Sequence, residues 1–153
     1  MVSILTMVKK TKTSTYSNCI AFRLGQARKR VTAYYDEFLK PIGLTPLSLY
    51  AIGYLSDCGS AAPSELATAL ELERPTVSSL VERMVRDGLV QRVAHPRHRG
   101  MTLILLTPSG KKAAKEAYPR LIESDRALND VFGGRLAALV KDLEVLNLSM
   151  EKL

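Results

Sequence analysis

The sequence predicts a mainly α-helical domain with one small β-hairpin wing, and three observations predict it. Two short helices with apolar faces lie about three residues apart in mid-chain. A pair of β-prone runs around a basic tip follows them directly, and longer amphipathic helices flank the whole arrangement. The 153 residues suit one compact domain, and 46% hydrophobic with 24% charged residues is an ordinary globular composition. Nine glycines and seven prolines are too few for a low-complexity or collagen-like chain. We read residues 1–153 as one domain: a basic arm at 1–13, flanking helices at 14–40 and 108–153, and a central lobe at 45–107.

From Tyr16 to Lys40, Ile20, Leu24, Ala27, Val31, Tyr35 and Phe38 recur at spacings of three and four, which predicts an amphipathic helix. Pro41-Ile42-Gly43 stops it. Thr45-Pro46 is an N-cap followed by proline, opening a helix through Leu49, Ile52 and Leu55 that ends near Asp57-Cys58-Gly59. Pro63-Ser64-Glu65 opens a short helix from Ser64 to Leu70, with Leu66, Ala67 and Leu70 facing a core. Arg74-Pro75-Thr76 starts the next, with Val77, Leu80, Val81 and Met84 on one face and Asp87-Gly88 at its close. These two helices form a helix-turn-helix unit. Leu89–Val93 and Met101–Leu106 are strands around His95-Pro96-Arg97-His98-Arg99-Gly100, and a helix-turn-helix followed by such a hairpin is a winged helix.

Thr107-Pro108 repeats the cap-plus-proline signal before a long helix carrying Ala113, Ala117, Leu121 and Leu128, which Gly133-Gly134 interrupts. In the last segment Leu136, Leu139, Leu143, Leu146, Met150 and Leu153 stand at spacings of 3, 4, 3, 4 and 3. This stripe fits a dimer seam better than a core position within the monomer, because both chain ends are helical and the winged unit completes its core without them. A second copy of the chain is therefore an expected partner.

Charge placement narrows the function. The net charge is +7, of which Lys9, Lys10 and Lys12 in residues 1–13 supply +3. Residues 74–100 supply +4, with Arg74, Arg83, Arg86, Arg92, Arg97 and Arg99 against Glu82 and Asp87, so the rest of the chain is balanced. A local arginine excess favours a polyanionic partner, here double-stranded DNA. The second helix of the pair is the one that would enter the major groove, and its polar face offers Arg74, Thr76, Ser78, Ser79, Arg83 and Arg86. Thr76, Ser79 and Arg83 fall at i, i+3 and i+7, on the side opposite Val77, Leu80 and Met84. Arg97 and Arg99 on the wing suit a narrow minor groove.

Other classes find little support. There is no Gly-rich phosphate loop, nucleophile motif or paired-carboxylate segment, so an enzyme is not expected. His95 and His98 lack a neighbouring acid or thiol, Cys19 and Cys58 lack ligand spacing, and no metal or other cofactor is expected. No apolar run reaches the length of a membrane span, and the lysines follow the apolar residues 1–8 where a secretory leader has the reverse order. A cytoplasmic protein is expected. The rival from another class is a winged helix that binds an acidic protein, which the concentrated arginine of residues 74–100 disfavours.

From Cys19 to Leu153 the chain resembles the MarR family of winged-helix transcription regulators. The carriers are Gly43-Leu44-Thr45-Pro46, Pro63-Ser64-Glu65-Leu66-Ala67, Arg74-Pro75-Thr76-Val77-Ser78 through Gly88-Leu89-Val90, and Leu106-Thr107-Pro108-Ser109-Gly110, in that order and spacing. The resemblance implies a homodimer with interleaved first, fifth and sixth helices, two lobes reading a palindrome, and usually repression relieved by a small aromatic acid. It carries DNA contact onto Thr76, Ser78, Ser79 and Arg83, and onto Arg99 in the wing. It departs at the wing, where the family shows an acid just before the arginine and this chain has Arg97 and His98. The resemblance also places Tyr34, Tyr35, Tyr50 and Tyr54 on or near the helices that wall the effector pocket. Cys19 stands where peroxide-sensing relatives carry their reactive cysteine, with Arg23 four residues on, so redox sensing is the alternative to a ligand.

Overall fold

The computed structural model describes Tyr16 and residues 18–152; the arm at 1–13 and the last residue of the apolar stripe lie outside them. The chain divides into two compact units, Met1–Tyr34 and Tyr35–Leu153. Helix α1 (Ile20–Leu39) begins at the first residue of its apolar series, four residues after Tyr16, where the helix is expected to start. The Tyr16 carbonyl accepts the Cys19 N–H at 3.0 Å in an i to i+3 turn, which ends the extension.

In the second unit a 3-10 turn (Lys40–Ile42) leads to α2 (Pro46–Cys58). Thr45 and Ser48 form a reciprocal capping box, with the Thr45 N–H donating to Ser48 Oγ at 2.8 Å and the Ser48 N–H to Thr45 Oγ1 at 3.2 Å. Strand β1 (Ser60–Ala61) follows, then α3 (Pro63–Ala69), whose Glu65 carboxylate reaches back to the Ala62 N–H at 2.6 Å. Residues 70–73 make the turn, one residue longer than expected, with Glu71 at φ 51 where glycine is usual.

Helix α4 (Arg74–Arg86) ends in a Schellman motif, with Leu89 N–H on Met84 O at 2.9 Å and Gly88 N–H on Val85 O at 3.0 Å. Gly88 sits at φ 70, a backbone region costly for a side chain. Strands β2 (Val90–Ala94) and β3 (Thr102–Leu106) pair antiparallel, Val90 opposite Leu106 and Ala94 opposite Thr102. The predicted hairpin gains a third strand, because β1 pairs with the free edge of β3 in the order β1-β3-β2.

One apolar core joins these elements. Ile52 and Leu55 of α2, Leu66 of α3, Val77, Leu80, Val81 and Met84 of α4, Val90 of β2 and Ile104 of β3 are all buried. Burial of side chains of this size contributes on the order of 1.5–3 kcal/mol each, and the α4 residues are the four that the sequence places on one face.

Helix α5 (Pro108–Val131) is capped by Thr107, whose Oγ1 accepts the Gly110 N–H at 3.0 Å and donates to the Gly88 carbonyl at 2.6 Å. Gly110 is buried, and a Cβ built there would lie 2.0 Å from the Leu89 carbonyl oxygen. Only glycine lets the first turn of α5 seat on the turn that links α4 to β2. Pro119 lies inside α5 and removes one N–H from its ladder, which the apolar periodicity does not reveal. Helix α6 (Leu136–Met150) follows a break at residues 132–135, and Asn129 Oδ1 accepts the Leu136 N–H at 3.1 Å.

Candidate nucleic-acid interface

The first turn of α4 begins at Arg74-Pro75, and proline there sets the helical φ without losing a needed donor. With Val77, Leu80, Val81 and Met84 buried, the helix turns Thr76, Ser78, Ser79, Arg83 and Arg86 outward, and all five are exposed. The structure sorts the predicted residues into two sets. Thr76, Ser79 and Arg83 line one shallow depression of about 390 Å³, together with Leu47, Pro75 and Leu80. Arg74 and Ser78 line another of about 370 Å³, shared with Ala62, Pro63 and Ser64 before and in α3 and with Met101 and Thr102 at the base of the wing.

Leu47, Ser64 and Thr102 are the residues that sequence reasoning missed. Each comes from a different element, and only the packed lobe brings them beside α4. Arg86 stands apart from both sets, with its Nε 3.8 Å from Asp87 Oδ1 in an exposed pair.

The wing tip is tied by its backbone. The His95 N–H donates to the Met101 carbonyl at 2.8 Å, and the Met101 N–H to the His98 carbonyl at 3.2 Å. Arg97 and Arg99 project from this tip and are exposed. No acid lies between residues 88 and 115, so the cationic charge of the tip meets no local carboxylate in sequence.

This lobe has a recognisable owner. A family model described as the MarR family matches residues 42–99, from the end of the 3-10 turn to the wing tip. Over those residues the chain matches the MarR family. It is also similar to the HTH-type transcriptional regulator BilQ of Clostridium symbiosum, 26% identical over 98 residues, which are 64% of this chain and 68% of the relative. Among solved structures, the M. tuberculosis transcriptional regulator MosR in complex with DNA superposes with a TM-score of 0.76 at 28% identity, covering 88% of this chain and 97% of that one. NadR in complex with 4-hydroxyphenylacetate gives a TM-score of 0.70 at 26% identity, over 87% of this chain and 97% of that one. MarR proteins are DNA-binding transcriptional regulators and not enzymes, and that is the class of this chain. No helix among the described residues is long and apolar enough to cross a membrane. Nor do the described residues contain a group of three or more His, Cys, Asp or Glu that could hold a metal.

The residues singled out as sensors are scattered. Tyr34 and Tyr35 are half-buried near the end of α1, and the Tyr35 hydroxyl donates to Asp125 Oδ1 on α5, 90 residues away. Tyr50 and Tyr54 lie one turn apart on α2, Tyr50 being 56% exposed. A side-chain hydrogen bond with Cys58 raises the Tyr54 phenol above its ordinary pKa, with burial a smaller cause. None of these tyrosines lines either depression on α4, or the wider one of about 710 Å³ between α5 and α6 that Asp125, Asn129 and Val140 border. Cys19 is exposed immediately before α1, and its carbonyl accepts the Arg23 N–H at 3.1 Å.

The apolar stripe of α6 is only partly covered. Leu136, Leu143 and Leu146 are half-buried, Leu139 and Met150 are 40% and 58% exposed, and no residue of the helix is fully buried.

Proposed function

We propose that this chain is a homodimeric repressor that reads a palindromic operator and releases it when a small aromatic ligand binds. One observation carries the DNA half of this reading: Thr76, Ser79 and Arg83 share one exposed side of α4, flanking its buried face. Short hydroxyls at the start of a helix approach bases or phosphates closely, and an arginine two turns on reaches a guanine edge or a phosphate. On this reading Arg74, Ser78 and Arg86 contact the backbone beside the groove, and Arg97 and Arg99 enter the adjacent minor groove. Residues 45–107 are then the DNA-binding lobe, and 14–40 and 108–153 supply the dimerisation helices. The stripe of Leu136, Leu139, Leu143, Leu146 and Met150, none of it fully buried, supports the seam, since apolar residues at heptad spacing gain by packing on a second copy.

The neighbour solved with 4-hydroxyphenylacetate supports an aromatic effector, and Tyr34, Tyr35, Tyr50 and Tyr54 are the residues we assign to it. The exposure of Cys19 favours oxidation of that thiol as the second reading of the signal.

Fluorescence anisotropy with duplex from the protein's own upstream region, set against scrambled duplex over a salt series, tests the core of the proposal. The expected outcome is specific binding with a steep negative salt slope. Arg83→Ala should cost about 1–3 kcal/mol and relax preference at one position of each half-site. Adding 4-hydroxyphenylacetate or peroxide separates the two signals, the latter repeated in Cys19→Ser. Equal affinity for both duplexes at low salt sinks the operator reading and favours a protein partner.

A further inference from the structure

The wing lacks the acid that the family places before its arginine, yet its tip is ordered by a different group. The backbone N–H groups of Arg97 and His98 both donate to His95 Nδ1, each at 3.1 Å. The His98 ring lies against the same imidazole, with centroids 4.6 Å apart and the planes tilted by 47°. Together with the two backbone bonds to and from Met101, these contacts close the loop on His95 from inside.

We propose that His95 is the positioning residue of the wing: its imidazole fixes the backbone from which Arg97 and Arg99 reach DNA. The inference rests on the reading that those two arginines contact the duplex. An exposed turn ordinarily leaves its N–H groups to water, and the tip then samples many shapes. Here one ring nitrogen takes both donors, so the directions of the Cα–Cβ bonds at residues 97 and 98 are set before DNA arrives. Order already present in the free protein is order that binding need not impose.

The chemistry fixes the state of the ring. Nδ1 accepts only when it carries no proton, so the proton of the neutral imidazole resides on Nε2, which points away from the two N–H groups. Nδ1 stands two bonds beyond Cβ, as does the side-chain oxygen of asparagine, so the tip reproduces with a histidine the turn that Asn and Asp make with their own backbone. Asparagine can therefore replace this function without charge. Glutamine places its oxygen one bond further out, and alanine has no acceptor at all. His95 is a positioning residue because it acts on the arginines through the backbone.

The full-length protein with the variants His95→Ala, His95→Asn and His95→Gln tests this beside the double variant Arg97→Ala, Arg99→Ala. In mildly alkaline buffer, nitrogen-15 spectra of the free wild type should show Nδ1 of His95 as the unprotonated ring nitrogen. The Arg97 and His98 amides should shift in His95→Ala and return in His95→Asn. Specific affinity should fall about tenfold in His95→Ala and His95→Gln and recover in His95→Asn, with Tm unchanged. The salt slope should hold in the His95 variants, because no phosphate contact is removed, and should drop in the arginine double variant. Wild-type affinity in His95→Ala, with weakened binding in the arginine variant, overturns the positioning role. A proton on Nδ1 overturns it too. Wild-type affinity in the arginine variant instead overturns the wing reading on which it rests, whatever the spectra show.

Discussion

The winged lobe and the flanking helices both carry apolar surface and dispose of it in different ways. On α4, Val77, Leu80, Val81 and Met84 are each at most 2% exposed. On α1, Ile20, Phe22, Leu24 and Val31 are 36–63% exposed, and on α6, Val140, Val145, Leu148 and Met150 are 49–60% exposed. The lobe buries its apolar faces in one core, to which Leu39 of α1 and Ala117 of α5 also contribute, with side-chain caps at the starts of α2 and α3 and a Schellman end on α4. The flanking helices have apolar surface in excess of what the chain covers, and α6 is apolar around most of its circumference. A helix of that kind is built to be surrounded. The contrast teaches that one sequence rule, an apolar residue every three or four, marks which face is sticky and leaves open what covers it.

The largest expected effect breaks the lobe. Gly110→Ala puts a methyl group into the space of the Leu89 carbonyl, so α5 must lift from the α4–β2 turn. We expect a loss of about 3 kcal/mol in denaturant unfolding, with DNA binding lost in parallel. A stable Gly110→Ala protein would show that the lobe does not depend on this joint.

The next change leaves the lobe and attacks the flank. Leu143→Asp with Leu146→Asp should convert dimer to monomer by size exclusion with light scattering, while the lobe keeps its thermal transition. Affinity for a full palindrome should then fall about 100-fold, because two linked half-site contacts become one. An unchanged mass would place the stripe within the monomer and erase the contrast.

The smallest change sharpens it. Tyr35→Phe removes the donor to Asp125, the bond that joins the end of α1 to α5. Loss of one partly buried hydrogen bond should cost about 1 kcal/mol, read as a lower midpoint in urea with the lobe's own spectrum intact.

The lobe was legible because its signals are local. Thr45-Pro46, Thr107-Pro108 and Asp87-Gly88 mark helix ends through atoms a few residues apart, and the structure forms those caps. The side shared by Thr76, Ser79 and Arg83 was legible for the same reason, since helix geometry alone sets it. What escaped depends on distance along the chain. Ser60–Ala61 has no strand character of its own and pairs only because the edge of β3 is open some 45 residues later. Tyr35 and Asp125 are 90 residues apart. The role of Gly110 needs the position of the Leu89 carbonyl, and that of His95 needs the path of the loop around its ring. The two histidines read only as poor metal ligands in sequence, where nothing indicates that their neighbours' amides turn inward.

The missing Cβ at Gly110 also sets a gear ratio. Thr107 and Gly110 clamp the base of α5 to the turn at the end of α4, so α4, the start of β2 and the start of α5 meet at one close-fitting joint. At 1.5 Å per residue the 24 residues of α5 form an arm of about 36 Å. A tilt of about 5° at its base sweeps its far end through about 3 Å, close to the ~3.4 Å rise of one base pair. Run in reverse, a displacement of that size near Val131 corresponds to a few degrees at the α4–β2 turn. A joint with slack would absorb it; a joint seated on glycine transmits it.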